Sequence, residues 1–177
     1  MSNLVKNIIR FIFFILVQVF VLDKIPPLHH LVIPYLYYLF ILWLPFQMGR
    51  RSVMLLAFLL GLSLDYFTKT PGLHAAPCVL IAYFRPFLIN LLIPQESSES
   101  NYQEPSIKSM SFVPYFTYVA ILTFVHHSFL FLLEALQFGG LLYFLIKTLL
   151  SFAISLLLIL IVELIFVRKQ RFRTNTV

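Results

Sequence analysis

The chain has 177 residues, of which 60% are hydrophobic and 11% charged, with a formal net charge of +6. A soluble domain carries about 25% charged residues, so this balance predicts one membrane domain. Basic residues cluster at the ends of apolar runs, where topology needs them, and this argues against nucleic acid as partner; the single cysteine, Cys78, excludes an internal disulfide and a Cys-rich metal site.

In chain order, the first helix is expected over about residues 4–22, long enough at ~1.5 Å per residue to cross a ~30 Å hydrocarbon layer. Lys6 and Arg10 precede its apolar core, as in a signal peptide, but no small-x-small cleavage pattern follows, so the helix is read as retained. Asp23 to His30 reads as a short outer loop broken by Pro26 and Pro27. A second, aromatic-rich helix is expected over about 31–46, with Pro34 and Pro45 near its ends and Tyr35, Tyr37, Tyr38 and Trp43 suited to the interface. Arg50 and Arg51 hold the inner turn.

The third helix is expected over about 52–66. Val53, Ala57, Gly61 and Asp65 recur every four residues and share one face. Ala57 and Gly61 make a small-xxx-small step that admits a close neighbour. Thr70-Pro71 reads as a cap and first position of the next helix, expected over about 72–93. There Ala75, Cys78, Ala82 and Arg85 line one face, so helices three and four should pack along their small faces. Cys78 reads as inert packing. Pro77 and Pro86 should bend helix four. Residues 94–110 are polar and read as a flexible cytoplasmic loop. Helix five is expected over about 111–133, an outer turn over 134–140, helix six over about 141–167, and a frayed basic tail over 168–177. Ser151 and Ser155 give helix six a second small-xxx-small step.

Six helices put both termini on one side, with Lys6, Arg10, Arg50, Arg51, Lys108, Arg168, Lys169, Arg171 and Arg173; only Lys24 and Lys69 lie clearly in the opposite loops. That bias assigns the basic side to the cytoplasm.

Asp65 leads the residues that could carry chemistry. The turn returns the chain at once, so its carboxylate lies near the amides and positive dipole end of helix four, with His74 and Lys69 in reach. It reads as a hairpin lock, with a ligand or proton role as the alternative. Arg85 reads as snorkelling to the inner headgroups, with carbonyl or partner binding as the alternative. His126, His127 and Glu134 lie in the outer part of helix five and could share a face, but adjacent helical histidines diverge by ~100°. A metal would therefore need further ligands such as His29, His30 or His74. Interface hydrogen bonding is the favoured reading and no metal is assigned. Lys147 should reach outward or pair with Glu134 or Asp65, and Glu163 should meet interfacial water or Arg168. No phosphate-cradling loop, H-E-x-x-H or nucleophile elbow occurs, so neither enzyme activity nor a cofactor is expected.

The order Gly61, Asp65, Gly72, Leu73, Ala75 and Ala82-Tyr83, with the arginine turn before it, resembles the MreD family of bacterial rod shape-determining membrane proteins. The aromatic second helix and acidic loop resemble its Bacteroidetes branch. The motif covers about residues 61–83; length, helix count and basic ends fit over the rest. The resemblance implies a six-helix fold similar to the S components of energy-coupling-factor transporters. It also implies a scaffold of the cell-elongation complex in the cytoplasmic membrane. Its direct partner would be MreC; MreB, RodA and the RodA transpeptidase would be complex members. The faces at Ala57, Gly61, Asp65, Gly72, His74 and Arg85 are the expected contact. A vitamin-binding S component is the alternative function, and a membrane enzyme using His126, His127 and Glu134 a third; fold alone decides none of these.

Overall fold

A computed structural model describes residues 3–24, 32–93, 103–138 and 140–165. The readings placed on Pro26, Pro27, His29 and His30, on 94–102, and on the tail 168–177 lie outside the described residues. All regular structure among the described residues is helical: α1 (Asn3–Phe20), α2 (Leu39–Leu42), α3 (Arg50–Thr68), α4 (Ala75–Leu92), α5 (Ile107–Met110), α6 (Phe112–Phe138) and α7 (Leu141–Ile165). Among the described residues, five stretches are long and apolar enough to cross a membrane: Val5–Lys24, Arg50–Thr68, Ala75–Leu92, Phe112–Leu136 and Leu141–Ile165.

The second expected helix is corrected. Residues 32–36 are not helical, and only Leu39–Leu42 form an α-helical turn. Pro34 lacks an N–H and disfavours helix in the residue before it. The amides a helix would use are taken by side chains instead. Ile33 N–H donates to Ser151 Oγ at 3.0 Å, Tyr35 N–H to Ser155 Oγ at 2.9 Å, and Leu36 N–H to Gln18 Oε1 at 2.9 Å. Pro45 then closes the helical turn.

This segment runs antiparallel to α1. It begins beside Gln18, whose amide also donates to Pro34 O at 3.2 Å. It continues past Phe11, whose ring meets Phe40 at 5.4 Å, and Phe14, whose ring meets Trp43 at 5.5 Å. It ends where Phe46 N–H donates to Gln103 O at 3.0 Å. Five extended residues at ~3.3 Å and eight helical or turn residues at ~1.5–2 Å span about 30 Å. The chain therefore travels from one end of the bundle to the other without a long helix. Residues 35 through 44 are all buried. Burial in protein is the condition under which irregular backbone survives at membrane depth.

α3 and α4 form the tightest pair. Val53, Ala57, Leu60, Gly61, Leu64 and Asp65 are buried along α3, and Ala75, Cys78, Ala82 and Arg85 along α4, so the small faces do pack together. A Cβ added at Gly61 would lie 2.3 Å from Ala75 Cα and 2.6 Å from its N, so only glycine permits this approach. α4 begins at Ala75, not at Gly72, and Thr70 is not its cap. It runs on through Pro86. α6 extends to Phe138, so residues 134–138, expected as turn, are helical.

The loop before α6 is partly corrected as well. Glu104 accepts from Lys6 Nζ at 2.8 Å and Arg10 Nη1 at 3.0 Å. Ser106 and Ser109 form a reciprocal capping box on α5, and Ser106, Ser109 and Met110 are buried. Residues 103–110 are thus held rather than loose, tied to α1 through Glu104 and packed on α6 through α5. Outward, Ile8, Ile9, Ile12, Phe13 and Leu16 on α1, and Leu149, Leu157 and Leu164 on α7, are exposed. Apolar faces of this extent call for a nonpolar surrounding.

Candidate functional site

The most polar construction in the interior is the turn between α3 and α4. Lys69, in the left-handed region at φ 58, ends α3 and returns its N–H to Asp65 O. The turn at residues 70–74 then brings five donors around the Asp65 carboxylate. Thr70 Oγ1 lies at 3.3 Å, Gly72 N at 3.0 Å, His74 N at 2.8 Å, His74 Nδ1 at 2.9 Å and Ala75 N at 3.1 Å. Three of the five are backbone amides in the turn leading into α4, a helix with no side-chain cap of its own. Gly72, at φ 86, supplies the backbone that lets those amides converge. Asp65 and His74 are both buried. Lys69, expected to help, is exposed and contributes only its backbone.

Arg85 does not snorkel. It is buried, donating from Nη2 to Leu44 O and, at 3.5 Å, to Pro45 O. These carbonyls lie just past the α2 turn, so the guanidinium ties α4 to the buried segment. Its Nε is buried with no partner among the described atoms. The carbonyl-binding alternative describes this side chain.

The polar cluster divides: the histidines make the interface hydrogen bonds expected of them, and Glu134 pairs elsewhere. His126 and His127 are both fully buried, with ring centroids 5.3 Å apart. Their ~100° divergence does not separate them, because the aromatic segment fills the space facing both. His126 Nε2 meets Tyr37 Oη at 2.8 Å and its ring stacks on Tyr38 at 4.3 Å. His127 bridges Thr123 O at 2.9 Å and Ser155 Oγ at 3.0 Å. Glu134 stands apart and pairs with Lys147 at 2.6 Å, whose ammonium also lies over the Phe131 and Tyr143 rings. Glu163 accepts from Tyr115 Oη at 3.1 Å, and Tyr115 in turn accepts from Trp43 Nε1 at 3.1 Å. No group of three or more His, Cys, Asp or Glu side chains suited to a metal occurs among the described residues.

Sequence reasoning missed Gln18. It is buried, takes the Leu36 amide and donates to Asp23 Oδ1 at 2.7 Å. A lone glutamine inside an apolar helix was the available signal. Arg50, placed for topology, also lies with its guanidinium 3.6 Å over the Tyr83 ring, while Arg51 is exposed.

Fold and site define a class: an all-helical bundle with five helices fit to span a membrane, braced by an acid-capped hairpin and a buried aromatic segment. Compared with known proteins, the chain matches no family model, no curated protein and no solved structure.

Proposed function

We propose that the chain is a non-enzymatic scaffold of the bacterial cytoplasmic membrane, of the kind its MreD-like motif implies. Both termini are cytoplasmic, and the buried segment at 32–46 makes the sixth pass. MreC is the direct partner; MreB, RodA and the RodA transpeptidase are further members of the assembly. The chain determines cell shape by coupling lateral peptidoglycan synthesis to the MreB cytoskeleton.

One observation carries this reading. The polar part of the motif is spent inside the chain. A carboxylate offers about four lone-pair sites, and Asp65 already meets five donors. It holds a hairpin rigid instead of presenting an acid to a substrate. Ala57, Gly61 and Ala75 are likewise buried between α3 and α4, so they cannot touch a partner directly. Contact with MreC then falls on an outward face, and the continuous stripe Ile8, Ile9, Ile12, Phe13 and Leu16 is the one we assign.

The test is co-purification with MreC in detergent. Asp65→Ala and Gly61→Leu should lower the yield by loosening the hairpin. Ile12→Trp should lower it with thermal stability unchanged. Full yield in all three variants would sink the scaffold reading, and a stoichiometric vitamin released from the purified chain would favour an S component instead.

A further inference from the structure

Two outward-facing cavities lie along α3 and α4 and share one wall, the Tyr83 ring. The first, of about 500 Å³, sits at the basic end of the bundle and is lined by Arg50, Tyr83, Phe84, Pro86, Phe87 and Asn90. The second, of about 630 Å³, rises from Tyr83 toward the Asp65 turn between Met54, Phe58, Ala76, Val79 and Phe129. The first offers a cation and an amide; the second is almost wholly apolar. From Phe87 up to Ala75 is twelve residues of helix, about 18 Å. One leaflet of a bilayer is about 15 Å deep in hydrocarbon.

Arg50 is held for use. Its guanidinium carbon lies 3.6 Å from the centre of the Tyr83 ring, a cation–π contact that restrains the side chain beside the cavity. A planar guanidinium fork with no carboxylate partner among the described residues matches a phosphate. Phe84 and Phe87 beside it are exposed and apolar.

We propose that this paired cavity binds one acidic phospholipid. Arg50 and Asn90 take the phosphate, Tyr83 positions the guanidinium, and an acyl chain lies in the groove toward Ala76. The charged cavity at the headgroup level and the apolar groove of one-leaflet depth fit one amphipathic molecule, which neither a free anion nor a bare hydrocarbon would fill. This site depends on the membrane placement, not on the identity of any protein partner.

Native mass spectrometry of the purified chain in micelles doped with equal phosphatidylglycerol and phosphatidylcholine tests it. The wild type should retain one phosphatidylglycerol in preference. Arg50→Gln should lower that retention roughly fivefold, the effect of one basic residue at an anionic surface. Tyr83→Leu should lower it as well, whereas Tyr83→Phe and Arg51→Gln should not. Six-carbon phosphatidylglycerol should be retained less well than the sixteen-carbon form, and glycerol phosphate should not displace the lipid. Equal retention of both lipids, an unchanged Arg50→Gln, or an Arg51→Gln loss as large as that of Arg50→Gln would overturn the proposal. Displacement by glycerol phosphate would assign the cavity to a soluble anion and overturn it too.

Discussion

At the scale of single residues, Asp65 does for α4 what a capping side chain normally does from within the same helix. Removing it strands the buried amides of His74 and Ala75 away from water. An unsatisfied buried donor costs about 1–3 kcal/mol, so Asp65→Ala should destabilise the chain by about 4 kcal/mol and Asp65→Asn by about half as much. Thermal denaturation in detergent measures both; equal midpoints for wild type and Asp65→Ala would refute the capping role. The importance of position 65 was legible, since a carboxylate in an apolar helix needs a reason. That its partners are mostly amides followed from the turn. Arg85 was misread because its destination, the carbonyls of Leu44 and Pro45, is in place only once residues 32–46 are known not to form a long helix.

At the scale of elements, the long helices could be read from hydropathy, and the α3–α4 pairing from residues four apart. The buried segment could not. A short apolar run reads equally as helix or as buried extended chain, and the deciding partners lie more than a hundred residues away, at Ser151 and Ser155. Those serines looked like small residues easing helix contact; they are acceptors for a stretch of backbone with no ladder of its own. Ser155→Ala removes the partner of both the Tyr35 amide and His127 Nε2. It should cost about 2 kcal/mol and speed hydrogen exchange at the Tyr35 amide. Ser63→Ala, an exposed hydroxyl bonded back to Leu59 O, should change stability by less than about 0.5 kcal/mol. Similar exchange rates at Tyr35 in wild type and Ser155→Ala would contradict this account.

At the scale of the whole molecule, the basic end is drawn together by Glu104, which ties the loop before α6 to Lys6 and Arg10. Burial alone would raise its carboxyl, but the hydrogen bond from Lys6 and the Arg10 charge outweigh burial and hold it below the ordinary 4.5. A carboxyl depressed by folding lends stability above its unfolded value, lost as pH falls through the folded one. The thermal midpoint of the wild type should therefore drop as pH is lowered below about 4.5, and Glu104→Gln should start lower and lose less over that range. Parallel pH curves for the two proteins would exclude the clamp. The buried segment also bears on how the chain is made. Its backbone cannot rest against lipid, and the serines that receive it lie on α7, more than a hundred residues further along the chain. Translation halted before residue 151 would leave α1 and α3 threaded but the segment between them without a berth, so that segment finds its partners only once α7 has been made.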